Sequence, residues 1–310
     1  MENNELNVVY SSDNNYAPHL GASVYSLLEN NRSFSKIIIY IIDNGISSNN
    51  KNGLEKIVSG FSDAEIVWIP FSDWESKLKL DLAWDISVST YARLFIGEML
   101  PIHTNRVLYL DCDMIICGSL SVLWETNLCD CVIGAVQDDI NDNTKRAVGL
   151  CPQDPYFNAG MLLIDLAKWR AQDIGKKAIC FLDDHHGKVI HHDQGILNGI
   201  LKGKWLKLPP AFNLMTIHYI FNGKQIKKFY QDHSDFYSDH EITLAKEKPV
   251  VIHFTPSFTT RPWVRNCVHP EKQRYWTAIG NTPWNHTAPE RDPSKWYIRL
   301  INWRYRCFKV

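Results

Sequence analysis

The sequence predicts an α/β protein: a mostly parallel sheet flanked by helices, with a small helical appendage at the C-terminal end. Three observations lead there. Short apolar runs alternate with segments of helical period through the first two thirds of the chain. The runs are unbroken, which suits parallel strands covered on both faces. Polar residues gather where the runs end, the place where open parallel sheets hold ligands. A chain of 310 residues, 45% hydrophobic and 22% charged, can build one large core and still carry an appendage.

Each element follows in order. "LNVVYSS" from Leu6 reads as a strand. "APHLGASVYSLLENN" places Leu20, Val24, Leu27 and Leu28 on one helical face. "KIIIYIID" is a second strand, and "SSNNKNGLEKIVSG" a helix with Ser47 or Ser48 as its cap. "AEIVWIP" is a third strand, stopped by Pro70. "STYARLFIGEML" reads as a helix capped by Ser89 or Thr90. "RVLYLDCDMIICGSL" is the fourth strand, and "CVIGAVQDD" and "AGMLLIDL" are two more. After about residue 265 the alternation fades into Pro, Trp and basic residues. The expected division is therefore 1–265, an α/β domain, and 266–310, a basic, aromatic helical appendage.

Composition narrows the function classes. A net charge of −1 gives no reason to expect a nucleic-acid partner. The eight cysteines form no C-x-x-C pair and read as scattered buried thiols without a disulfide framework. No signal-peptide core opens the sequence, and no apolar run has the length of a membrane span. The expected location is the reducing cytoplasm.

The polar clusters carry the chemistry. Asp111 and Asp113 end a strand and share one side of an extended backbone, with Cys112 turned into the protein. Two hard oxygen ligands on one face suit Mg²⁺ or Mn²⁺, and adding His253, which closes "VVIHF", favours Mn²⁺. A phosphotransfer nucleophile pair, as in haloacid-dehalogenase-type phosphatases, and a solvated turn are the competing readings. "SSDNNY" (Ser11 to Tyr16) either holds a base and ribose or forms a turn with helix caps. No G-x-G-x-x-G or Walker A loop is present. His185, His186, His191 and His192 match no usual zinc spacing. Asp193 and Gln194 are expected to cap a helix running from Gly195, a terminus suited to a ligand.

Taken together, six blocks in order resemble glycosyltransferase family 8, the retaining enzymes of GT-A fold. They are "VVYSSDNNY", "STYARLFIGEMLP", "RVLYLDCDMIICGSLSVLWETNL", "YFNAGMLLIDLAKWR", "DQGILNGILKGKWLKLPPAFN" and "VVIHFTPSFTTRPW". The likeness spans residues 6 to about 265 and is strongest to small bacterial lipooligosaccharide-type α-galactosyltransferases. It implies a Mn²⁺-dependent transfer of a hexose, galactose ahead of glucose, from a UDP-sugar to a glycan acceptor on lipid or protein. It implies that Asp111, Asp113 and His253 hold the metal, and that Ser11, Asp13, Asn15 and Tyr16 hold uridine and ribose. Arg93 would reach the sugar and diphosphate, and Asn158, Asp193 and Gln194 the transferred sugar, with Asp138 nearby. Arg261 of "RPW" stands where the family usually has Lys, after a loop two residues longer than usual, and would bind diphosphate. Gln194 occupies the position of a nucleophile but is an amide, which favours a front-side, same-face route with Asp193 as the alternative nucleophile. A catalytically silent nucleotide-sugar binder is the other function class.

The tail, "SKWYIRLINWRYRCFKV", carries Lys295, Arg299, Arg304, Arg306 and Lys309 with no acid. On a helix, Trp296, Leu300 and Trp303 line one face. Three readings follow: a helix docked on the catalytic domain with its tryptophans buried, an interfacial helix that holds the enzyme at the inner face of an anionic membrane, or a surface that binds the acceptor or a partner.

Overall fold

The computed structural model describes residues 4–72, 74, 88–292 and 294–308; Lys309 of the tail lies outside them. Among the described residues, ten strands make two sheets. Strands β1 (Glu5–Asp13), β2 (Lys36–Asn44), β3 (Ala64–Pro70), β4 (Arg106–Leu110), β6 (Ile133–Asp138), β7 (Tyr156–Asp165) and β8 (Trp205–Lys207) form the large one, in the order β3-β2-β1-β4-β7-β6-β8. Its pairings are parallel except where β7 runs antiparallel between β4 and β6. Strands β5 (Met114–Ile116), β9 (Leu214–Met215) and β10 (Val251–His253) form the small sheet, with β10 in the middle.

The unbroken apolar runs have the predicted cause. Val8, Tyr10, Leu108 and Leu110 pack into one core, and Val9, Val107 and Tyr109 into another on the opposite face. Both faces of the central strands are therefore dry. Helix α1 (Ala17–Asn30) sends Leu20, Val24 and Leu27 into the first core. Helix α2 (Ser48–Val58) begins at Ser47, whose hydroxyl accepts from the Asn50 N–H.

Three local expectations are corrected. The stretch around Asp111 is not one strand. After β4 the Asp111 N–H still bonds the Gly160 carbonyl, and then the chain leaves the large sheet and enters the small one as β5. The two aspartates therefore sit at the junction of the sheets. The segment 89–100 is a 3₁₀ helix over Val88–Phe95 that becomes α only at Ile96–Met99, with Ser89 and Thr90 inside it rather than capping it. Three residues per turn bury Tyr91 and Leu94 together and turn Arg93 toward the sheet ends. The thiols are not uniformly buried: Cys112 and Cys267 are, whereas Cys129, Cys151, Cys180 and Cys307 are exposed, and all eight are free.

Beyond β10 the chain stays attached. Helix α5 (Lys272–Gly280) packs on α1, with Tyr275 hydrogen-bonded to His19 at 2.8 Å. Helix α6 (Trp296–Phe308) ends the described chain. Its Trp296, Leu300 and Trp303 are 70%, 53% and 49% exposed, so the reading with buried tryptophans is set aside. Among the described residues, no helix is long and apolar enough to cross a membrane.

Candidate active site

The ends of β1, β4, β7 and β10 converge, and the sequence-predicted residues divide into three groups around the sheet junction. The central group is Asp111, Asp113 and His253, whose ligand atoms all lie within 4.8 Å of one another. His253 Nε2 is 3.1 Å from Asp113 Oδ1 and 3.9 Å from Asp111 Oδ2. The other ring nitrogen is 3.0 Å from Asn213 Oδ1. The Asn213 amide NH₂ donates to Asn158 Oδ1, so Asn213 Oδ1 is left to accept from the imidazole N–H. That bond fixes the tautomer and presents Nε2 to the carboxylates. Sequence reasoning missed Asn213. It lies in the quoted "PPAFN" block, but no spacing rule marks an amide that acts through a histidine.

Two carboxylates and an oriented imidazole are a hard-to-borderline donor set, and they fit Mn²⁺. The space fits as well. A Cβ on Gly160 would lie 2.5 Å from His253 Cε1 and 2.9 Å from Asp111 Oδ2, so only glycine lets β7 pass beneath the cluster. Burial pushes the Asp113 carboxyl up, but His253 and Arg261 outweigh it and hold the group below the usual carboxylate range. Burial likewise lowers His253, and the neighbouring carboxylates more than restore it. No other cluster of metal-ligand type occurs among the described residues, the histidines at 185–192 included.

The second group lines a cavity of about 490 Å³ beside the aspartates. Arg93, Asp111, Asp138, Asn158, Asp193 and Gln194 all face it. Arg93 organises this wall. Its Nη2 donates to Asp111 Oδ1 at 2.9 Å, its Nη1 to the Ala159 carbonyl at 2.6 Å, and its Nε pairs with Asp193 Oδ2 at 2.6 Å. The guanidinium lies 4.4 Å over the Tyr109 ring, and the Tyr109 hydroxyl donates to the same Asp111 oxygen at 3.1 Å. Burial raises the Asp193 carboxyl to about 6 despite Arg93. Asp193 and Gln194 do not cap their helix. They lie in the first turn of α3 (His192–Ile200), entered through His191 and His192 with φ of 58° and 52°. From there Gln194 Oε1 accepts the Ala159 N–H at 3.0 Å and Nε2 donates to Asp138 Oδ2 at 3.2 Å. Asp138 also accepts from Asn158.

The third group flanks the aspartates from the other side. Ser11 and Asp13 end β1, and Cys112 donates its S–H to the Ser11 carbonyl. The Asp13 carboxylate accepts the N–H groups of Asn15 and Tyr16, so the turn reading and the ligand reading of "SSDNNY" share one geometry. Tyr16 meets Trp263 edge to face at 6.1 Å. Arg261 lies 5.8 Å over that indole and donates to Asp113 Oδ2 at 3.0 Å. Ser11, Asp13, Asn15 and Tyr16 are not among the residues that line that cavity.

A metal-type cluster beside a polar cavity at the sheet ends is the geometry of the site, and the sequence that builds it matches a family model. The model described as "Glycosyl transferase family 8" fits residues 7–267. The chain belongs to glycosyltransferase family 8. Its relatives include General stress protein A of Bacillus subtilis, 28% identical over 90% of this chain and 95% of that protein. Lipopolysaccharide 1,2-glucosyltransferase of Escherichia coli is 28% identical over 92% of this chain and 80% of its own length. Among solved structures, the galactosyltransferase LgtC in complex with donor and acceptor sugar analogs superposes with a TM-score of 0.71. It is 29% identical and covers 90% of this chain and 96% of that one. This family 8 chain is thus an enzyme of hexosyltransferase type, and its Asp111–Asp113–His253 cluster is the candidate metal site such enzymes use.

Proposed function

We propose that this enzyme moves a hexose, galactose ahead of glucose, from a UDP-hexose to a glycan hydroxyl with retention of the α configuration. The observation that carries the reading is the single cavity wall on which Arg93 is bonded to both Asp111 and Asp193, with Gln194 beside them bonded to the Ala159 N–H and to Asp138. The fold likeness supports galactose, and the glucosyltransferase relative keeps glucose as the alternative. Uridine and ribose lie against Ser11, Asp13, Asn15 and Tyr16. Asp111, Asp113 and His253 would hold Mn²⁺, with Mg²⁺ the alternative ion, and the bound ion would supply positive charge for the diphosphate leaving group.

The chain's own groups do the rest. Arg261, held by Asp113 over Trp263, faces the side where diphosphate charge accumulates as the glycosidic bond breaks. Both polar atoms of the Gln194 amide are already hydrogen-bonded, the oxygen to the Ala159 N–H and the nitrogen to Asp138, so the amide is held in place on the cavity wall and its oxygen is a poor nucleophile. Asp193 is tied to Arg93, which lowers its nucleophilicity too. The reading that follows is same-face transfer: the leaving phosphate takes the acceptor proton while Gln194 stabilises the cationic sugar. UDP release with Mn²⁺ and either UDP-galactose or UDP-glucose, with NMR of the product, tests it. A β product would discard the mechanism, and silence with both donors would favour the non-catalytic binder.

The division of labour in this proposal assigns transfer to residues 1–265 and recruitment to the tail, in the cytoplasm at the inner membrane face. Exposed Trp296, Leu300 and Trp303 beside Lys295, Arg299 and Arg304 match an anionic bilayer surface, near a lipid- or protein-linked acceptor. Trp296→Ser with Trp303→Ser should abolish pelleting with anionic vesicles at low salt. Unchanged pelleting would end the membrane reading.

A further inference from the structure

The loop from Phe254 to Arg261 joins His253 of the metal-type cluster to the arginine that grips Asp113. Its Thr255, Pro256 and Ser257 form part of the cavity wall. The next residue, Phe258, has φ of 61°, a left-handed conformation that bulky side chains rarely adopt. Such a conformation persists only where its surroundings impose it. Helix α4 (Gly223–Tyr230) and helix α6 do so. The Phe258 ring meets Phe221 at 5.3 Å, Phe229 at 5.4 Å and Tyr305 at 5.1 Å, and Tyr305 closes the set by meeting Phe229 at 5.4 Å. Arg306 Nη1 donates to the Phe258 carbonyl at 2.6 Å. Two consecutive residues of the C-terminal helix thus grasp the ring and the carbonyl of the one strained residue in the loop.

We propose that Tyr305 and Arg306 are positioning residues for the sugar-transfer site, acting through Phe258 on the cavity wall at 255–257 and on the reach of Arg261. The proposal rests on the reading of this cavity as the sugar site. It also makes the recruiting helix and the loop beside the reaction centre one mechanical unit, so that whatever seats α6 also sets the loop.

The test has two arms. In the first, hydrogen exchange of the full-length protein is followed without substrate. Arg306→Ala should speed exchange across 255–260 by about ten-fold, the equivalent of one lost hydrogen bond, and leave β1, β2 and β4 unchanged. In the second, transfer from UDP-galactose is measured. The same variant should raise the donor KM with a smaller change in kcat, Arg306→Lys should restore much of the loss, and Tyr305→Phe should behave as wild type because it keeps the ring. Tyr305→Ala should give the same rise in loop exchange and in donor KM, and if it does not fold the Arg306 pair decides. Loop exchange and KM unchanged in Arg306→Ala would overturn the proposal. So would a uniform rise in exchange across the whole protein, because that is general destabilisation. A wild-type enzyme inactive on UDP-sugars would refute the functional reading, while the exchange arm would still judge the clamp.

Discussion

Gly160→Ala is a one-carbon perturbation aimed at the metal-type cluster. Gly160 lies inside β7 and has no positive φ, so alanine suits its backbone and the only cost is space. The added Cβ would stand 2.5 Å from His253 Cε1, 2.9 Å from Asp111 Oδ2 and 2.9 Å from Met114 Cε, where ordinary contact begins at 3.4 Å. Met114 is flexible and can yield. His253 is held by Asn213 and Asp111 by Arg93 and Tyr109, so relief means shifting the imidazole by about 0.9 Å. Displacing a supported ligand costs about ten- to a hundred-fold in metal affinity. The overpacking itself costs about 1–3 kcal/mol of stability. Titration calorimetry with Mn²⁺ measures the first and thermal unfolding in EDTA the second. Gly134→Ala is the control, because its Cβ meets Leu128 and Leu208 side chains at 3.0–3.3 Å, away from the cluster. It should lose stability and keep Mn²⁺ affinity. A folded Gly160→Ala protein that binds Mn²⁺ like wild type would falsify the placement of the metal between Asp111 and His253.

Asp111→Asn or Asp113→Asn should abolish transfer with the circular-dichroism spectrum unchanged, and EDTA should reproduce the loss reversibly; full activity in EDTA would refute the metal role. Gln194→Ala should lower kcat far more than it weakens UDP binding, and equal losses would assign the amide to ground-state binding. Stability should fall as pH rises. Burial and the neighbouring Asp232 raise the Asp139 carboxyl from 3.8 to about 9, so between those values the folded chain keeps a proton that the unfolded chain has lost. Asp139→Asn should flatten the decline in melting temperature between pH 6 and 9. An unaltered slope would show that Asp139 does not carry that proton.

The strands and the aspartate pair were legible because they follow from local rules, whereas His253 was joined to them by its place at a strand end and by the family resemblance. Apolar runs such as "KIIIYIID" are long enough to name their element, and paired aspartates at a strand end are costly without a cation. The sheet junction was not legible. "RVLYLDCDMII" reads as one strand because the break at Asp111 is made by partners far along the chain, Gly160 on one side and Phe254 on the other. Asn213 was missed for the same reason, since its two partners lie at 158 and 253. Asp193 and Gln194 were found but misplaced by one turn, because the left-handed pair His191–His192 starts the helix early and no Gly or Asn advertises it. The helical period of the tail put Trp296 and Trp303 on one face, but periodicity cannot say whether that face is covered.

The small sheet also has an order of assembly. Strand β5 follows β4 directly, whereas its partner β10 and the flanking β9 come from much later in the chain. Pairings between distant segments close large loops and form late. The β1–β2–β3 unit can zip up from neighbouring βαβ segments while His253 is still far from Asp111 and Asp113. While the late pairing of β10 is still unformed, the two carboxylates stand without the imidazole, and the cluster Asp111–Asp113–His253 is completed only near the end of folding. Refolding with Mn²⁺ present should accelerate the final kinetic phase and leave the early one alone, and an effect on the earliest phase would reverse this order.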